Sequence, residues 1–382
     1  MKHYEGFSGL LGRCVPLAVF LFSLMSGSAG AQAAGASQAG PPVGKKIRVG
    51  LIRADSHGVY FSALMDEMDG RLFNAPPTDL EKPPYSWMTG SYHPFFFNTM
   101  DITKMTAPFV GGFDIVKVWD EYPEAARLFS KVWNGEPQVC ATFEEVSDGV
   151  DLVLIADCNY DGSDHLKLAT PGLKKGVPTF VDKPLAFEVK DARAIIDLAR
   201  ANNTPLFSSS ILSLLPHAAR FRSRIPEIGE AQFGIVRGGG PNFAGQVHAI
   251  ATALHVFGDG VERVDSMGDE PLDYVRLDWG KQAGRPRHGV VLTCRGGGMS
   301  SQSGFYVSAY SDKGAIHSEG FDSYTFVYGA ALIVEKIKTM VRTGKPPVDY
   351  DKMLEPIAIA TAARLSHAER RAVEVKEVLE GK

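Results

Sequence analysis

Residues 176–193 read GVPTFVDKPLAFEVKDAR. An apolar, β-branched run of the kind buried in a sheet stops at an acid, a lysine and a proline. A helical pattern then takes over in KDARAIIDLARANN (190–203). A lysine at a strand's carboxyl end lies where an α/β sheet binds its ligand, and partial burial there lowers its pKa toward a useful acid–base range. The following proline fixes the turn. The bland alternative is a surface lysine, and only its neighbours decide between the two.

Working outward, the same strand-then-helix unit recurs. Upstream stand VDLVLIAD (150–157) with HLKLATPGLKKG (165–176), and FDIVKVWD (113–120) with EYPEAARLFSKVW (121–133). KIRVGLI (46–52) comes first, followed by the polar turn RADSHG and the helical VYFSALMDEMDG (59–70); TPLFSSS (204–210) supplies one more strand. Such alternation over residues 46–210 predicts an α/β doubly wound parallel sheet. After Arg224 the texture changes to strand-like runs separated by glycine turns, as in AQFGIVRGGG (231–240), DYVRLDWG (273–280) and HGVVLTCRGG (288–297). Two long helical patterns, 326–344 and 350–371, close the chain. A second α+β domain over 211–382, with a mostly antiparallel open sheet, is expected.

The bulk numbers agree with two domains, since 382 residues exceed what one core usually organises. A net charge of −4 without a long basic run argues against nucleic acid as a partner. Residues 1–33 read as a secretory signal peptide: a basic start, an apolar run shorter than the roughly 20 residues of a membrane span, then small-x-small cleavage patterns. The mature chain is therefore expected in the periplasm or secreted, without stable membrane insertion. Residues 34–45 are a small, proline-bearing linker. Beyond Cys14 three cysteines remain, Cys140, Cys158 and Cys294, an odd and widely spaced set that is neither a disulfide framework nor a zinc site. Residues 69–111 form an insertion rich in aromatics and prolines, a cleft cover, a packed decoration or a subunit contact.

The first turn of a dinucleotide-binding sheet normally carries G-x-G-x-x-G. Here those glycine positions hold Arg53, Asp55 and Gly58, with Ser56 between the last two. Only the third glycine survives. Asp55 would repel phosphate, and Arg53 would compensate by pairing with it. Asp120 ends the second strand, where an acid can accept from both ribose hydroxyls and disfavour a 2′-phosphate, or else simply cap the next helix. Asp157 and Asn159, with Asp161 and His165, cluster after the third long strand. No metal site is read, because no ligand pair among His57, His93 and His165 has metal spacing.

The order of these elements, with Asp182-Lys183-Pro184 at a strand end, resembles the Gfo/Idh/MocA family of glucose-fructose oxidoreductase and inositol dehydrogenase relatives, and the likeness spans nearly all of residues 46–375. In that family the motif is usually E-K-P and its lysine binds substrate or assists proton transfer. The resemblance therefore makes Lys183 a catalytic residue and places Asp182, Lys183 and Pro184 beside the cofactor. It also implies a second-domain helix with a D-x-G-x-H motif, matched by NFAGQVHAIATALHVFGDG (242–260), which puts the histidine at Asp-less His248. Ala244 stands where the family has its acid and Gln246 where it has glycine. His255 is the competing histidine.

The resemblance implies a Rossmann-like domain holding NAD or NADP tightly, NAD being favoured by Asp120. The expected activity is exported hydride transfer to or from a hydroxyl of a sugar, polyol or glycoside. A homo-oligomer paired through the C-terminal sheet is expected too. Two rival readings remain. One is a non-redox lyase, epimerase or glycosidase using Lys183 and His248 as acid and base. The other is an idle carbohydrate-binding or sensor protein, favoured by Arg53, Asp55 and Ala244.

Overall fold

A computed structural model describes residues 44–54, 56–74, 109–156, 161–240, 243–294 and 304–381. The leader, almost all of the linker and most of the 69–111 insertion lie outside the described residues, as do Asp55, Asp157, Cys158 and Asn159.

Strand β1 (Ile47–Ile52) lies at the centre of a six-stranded sheet in which β2 (Phe113–Trp119) flanks it on one side and β4 (Leu152–Ile155) on the other. The full order is β3-β2-β1-β4-β5-β6, with β3 (Gln138–Val139), β5 (Thr179–Val181) and β6 (Leu206–Phe207) completing it. All five pairings are parallel. This is the doubly wound arrangement that the alternation predicts. All four β4 residues are buried, which is why that stretch is apolar without a break. The two-residue β3 carries no such signal, and its residues are exposed.

Helices pack on both faces. They are α1 (Ser56–Met65), α2 (Gly70–Asn74), α3 (Pro123–Val132), α4 (His165–Lys174) and α5 (Val189–Ala201). In α5 the buried residues Ala192, Ile195, Ile196 and Ala199 recur at helical spacing, so one stripe faces the sheet and Lys190 and Asp197 face away. Helix α3 begins with Pro123, whose missing N–H costs nothing at that position, and Phe129 stacks on Trp133 at 3.9 Å.

From residue 233 onward the strands form a second sheet, ordered β12-β11-β7-β10-β9-β8-β13. These are β7 (Phe233–Arg237), β8 (Arg263–Ser266), β9 (Tyr274–Asp278), β10 (Val290–Thr293), β11 (Tyr306–Ser311), β12 (Gly314–His317) and β13 (Val373–Glu374). Only β7 and β10 pair in parallel. The connections include α6 (Pro216–Arg224), α7 (Phe243–Phe257), α8 (Ser323–Thr343), α9 (Tyr350–Glu369) and α10 (Val375–Glu380). Helix α9 returns to pack on α5 of the first sheet as well as on β8 and α7, so it ties the two sheets together. No described helix is long and apolar enough to cross a membrane.

Candidate active site

The turn after β1 departs from glycine chemistry yet keeps a glycine shape. Arg53 takes φ 76°, a left-handed conformation that costs an L residue energy, and it stands at the first glycine position of the motif. Gly58 keeps its glycine for a visible reason. A Cβ there would lie 2.1 Å from the carbonyl oxygen of Arg53, so helix α1 could not approach the turn. Ser56 is buried at the head of α1.

The Arg53 guanidinium spans the mouth of the sheet. Nη1 donates to Glu121 Oε2 at 2.9 Å, just past β2, and Nη2 pairs with Asp164 at the start of α4. Its guanidinium carbon also lies 6.0 Å from the centre of the Trp119 ring. Since the Glu121 side chain is 63% exposed, that arm of the clamp is the weaker one, worth at most about 1 kcal/mol.

Asp120 is bonded to the backbone of the turns around it. It is 3% exposed; Oδ2 accepts from Ala54 N–H at 2.7 Å and Oδ1 from Tyr122 N–H at 2.9 Å. Burial pushes its pKa up, against those two backbone bonds. Each oxygen keeps a further acceptor site, so Asp120 both fixes the loop and stays the acid at the end of β2 expected to face a ribose. Glu121 is the acid at the rim.

At the end of β5 the structure brings together residues that lie far apart in the chain. Asp182, 1% exposed, pairs with His57 Nδ1 from the first turn of α1. Burial alone would raise the Asp182 pKa, but the charge and hydrogen bond of His57, with Lys183 beside it, hold it below the ordinary carboxylate value. Complete burial, and then the negative charge of Asp182, pushes the Tyr60 hydroxyl well up. Lys183 is 6% exposed and its bond to Pro184 is cis. His165 fixes the turn, its Nδ1–H donating to the Pro184 carbonyl at 2.9 Å.

Lys183 and Pro184 line a cavity of about 490 Å³ together with Ser208, Ser209 and Ser210 from the end of β6. His248 is not among the lining residues. Its Nδ1 lies 2.7 Å from Ser210 Oγ, and that oxygen also accepts from Leu212 N–H at 3.1 Å. Lys183 and Ser210 thus line one cavity, and His248 is bonded to Ser210. His255, the competitor, does line it. Burial, then the nearby Arg222, lowers its pKa, and it hydrogen-bonds the Leu215 backbone while Nε2 has no partner among the described residues.

Three participants were not legible as site residues: His57 as the partner of Asp182, Ser210 as the partner of His248, and Asp164 as the partner of Arg53. Each pairing joins residues far apart in the chain and on different elements. Cys140 and Cys294 are buried free thiols, and burial pushes Cys294 up to about 12. Among the described residues no group of three His, Cys, Asp or Glu side chains is placed to hold a metal.

A family model described as oxidoreductase family, NAD-binding Rossmann fold, GFO_IDH_MocA, matches residues 93–209. The match places that segment's similarity with the Gfo/Idh/MocA oxidoreductases. Solved structures of similar fold include a probable dehydrogenase from Thermotoga maritima (16% identity, TM-score 0.61, covering 87% of this chain and all of that one). Another is a putative myo-inositol dehydrogenase from Sinorhizobium meliloti (17%, 0.60, 86% of this chain and all of that one). An oxidoreductase from Agrobacterium radiobacter, solved with NAD+, L-tartaric acid and magnesium, is similar at 16% identity and TM-score 0.59, over 88% of this chain and all of that one. No curated protein matches the sequence. At these identities the structural likeness speaks for the fold, and the Gfo/Idh/MocA match covers the segment that carries Asp182-Lys183-Pro184.

Proposed function

We propose that the protein is an NAD(P)-dependent oxidoreductase that moves hydride to or from a hydroxyl carbon of a sugar, polyol or glycoside. The observation that carries this reading is the His57–Asp182 pair. It joins the turn after β1, where a dinucleotide's phosphates would lie, to the strand end that puts Lys183 in the cavity wall. The family match and the NAD+ complex of the Agrobacterium radiobacter relative support it.

The turn fits a dinucleotide in shape and charge. Arg53 takes the glycine-like conformation, Gly58 allows close helix approach, and a guanidinium waits where pyrophosphate would sit. Arg53 would exchange its carboxylate partners for phosphate oxygens, and Asp182 would keep His57 oriented beside them. When bound, nicotinamide supplies a hydride acceptor or donor. Lys183 binds the substrate oxygen and takes or returns its proton at Nζ. His248 acts through Ser210, the hydroxyl it holds at the cavity wall, and does the work that an acid at position 244 would share. NAD is preferred to NADP because Asp120, with Glu121 beside it, sets negative charge at the end of β2 against a 2′-phosphate. Action beyond the inner membrane and pairing through the second sheet belong to the same proposal.

A second reading, a ligand-binding protein without turnover, is favoured by one observation: both arms of Arg53 are held by carboxylates. Titrating the purified full chain with NADH, followed by nicotinamide fluorescence, separates them. Saturable binding that Arg53→Met weakens is expected of the oxidoreductase. Absence of binding by NADH and NAD+ alike rejects it.

A further inference from the structure

The cavity continues well past Lys183. Its wall follows helix α7 through Val247, Ala251, Leu254 and His255 to Gly258 just past the helix end. Eleven residues of helix climb about 16 Å, so the far wall lies a full sugar-length or more from the near one. The middle is apolar, with Met353 and Ile357 of α9 opposite the helix. The far end is not.

There the lining includes Arg222, Arg285 and Lys352, against one acid, Asp259. Lys352 and Asp259 neutralise each other at 3.0 Å. Arg222 donates to the His255 carbonyl at 3.1 Å, where the end of α7 exposes carbonyl oxygens. Arg285 differs from both. It is half-buried, its Nε is fully covered without a hydrogen-bond partner, and it has no ion-pair partner among the described residues. Its guanidinium lies flat against Gly258, where a Cβ would come within 2.2 Å of Nη1. Gly258 is thus shaped to admit this side chain. A charge brought partly out of water and left unanswered is costly, and a carboxylate answers a guanidinium with two parallel hydrogen bonds.

We propose that this pocket binds a small organic acid, with its carboxylate taken by Arg285 and Arg222 at the far end and its body lying along the apolar face of α7. The inference rests on the proposed function only in sharing its cavity: the hydroxyl-bearing end of such an acid reaches Lys183, which makes the substrate class sugar acids in place of neutral sugars. Acid recognition stands or falls on binding alone, without turnover or cofactor.

The test is calorimetric titration of the full chain with gluconate and with glucitol, which share a hydroxylated chain and differ in the carboxylate. Gluconate is expected to bind at least about tenfold more tightly, as the loss of a charge-assisted hydrogen bond predicts. Arg285→Met should abolish that preference, Arg285→Lys should restore part of it, and Arg287→Met, outside the pocket, should leave it intact. Equal binding of the two compounds, absence of gluconate binding, or a preference that survives Arg285→Met overturns the proposal. NADH titration of the same samples is read separately: normal NADH binding with no acid preference rejects only this inference, and acid preference without NADH binding rejects only the oxidoreductase reading.

Discussion

The two ends of the ligand-facing surface treat charge in opposite ways. At the turn after β1, Arg53 is clamped by Glu121 and Asp164, Asp120 is bonded to two backbone N–H groups, and Asp182 holds His57. At the far wall of the cavity Arg285 has no such answer. A site whose charges are internally paired is rigid before its ligand arrives and must exchange partners to bind. A site with an unanswered charge gains most from the ligand itself. Lys183 stands between them.

The largest effect should come from cutting that junction. Lys183→Met removes the one ammonium in the cavity wall at the end of β5, and kcat/KM for the hydroxyl substrate should fall by about 10²–10⁴-fold with NADH affinity within a few-fold of normal, the range expected for loss of an acid–base group. Steady-state kinetics beside fluorescence titration checks it. An equal fall in both quantities would make Lys183 a cofactor anchor only.

Next comes Asp182→Asn, which strips the buried partner from His57 and should cost about 3 kcal/mol at pH 7 by denaturant unfolding. The sign with pH follows from the direction of the shift. Because the folded pKa of Asp182 is depressed, its contribution is complete above the unfolded carboxylate value of about 3.9 and is lost as pH falls through the folded value. The gap between Asp182→Asn and the parent should therefore close below about pH 4. A gap that stays constant to pH 3 would show that the pair is not ionic.

Gly58→Ala tests the shape of the turn and not its charge. The added methyl meets the Arg53 carbonyl at 2.1 Å, so helix α1 must retreat, at a cost of about 2 kcal/mol in unfolding free energy. NADH affinity should fall with it, since the helix end no longer reaches the phosphates.

Much of this surface could be read from the chain before any coordinates. Alternation of strand and helix over 46–210 identifies the doubly wound sheet because each buried parallel strand leaves an unbroken apolar run, as VLI in β4 does. The D-K-P strand end was legible for the same reason. Partners were not. A strand-end acid such as Asp120 can read a ribose or cap a helix, and nothing in the chain announces that it takes the N–H groups of Ala54 and Tyr122. His57 and Asp182 are 125 residues apart, and Ser210 and His248 lie 38 apart. Periodicity reports which face a residue takes on its own element, never which side chain waits on the next one. His255 gained its place in the wall through the depth of the α7 face, which a motif centred on the helix start does not describe.

The smallest expected effect discriminates best between the two ends. Glu121→Gln removes the exposed arm of the Arg53 clamp and leaves Asp164 in place, so the fold should be unaffected, within about 0.5 kcal/mol. What changes is the competition for the guanidinium. Pyrophosphate would then displace one carboxylate instead of two, and NADH should bind roughly 2–5-fold more tightly at low salt, an advantage that shrinks as salt screens the clamp. NADPH should gain more than NADH, because the same substitution removes one negative charge next to Asp120 at the end of β2, where the proposal puts the ribose. Gluconate affinity should not move, since Arg285 lies at the other end of the cavity. Tighter binding of NADH with unchanged acid binding would confirm that the paired end and the unanswered end act independently. Weaker NADH binding would mean that Glu121 itself holds the ribose.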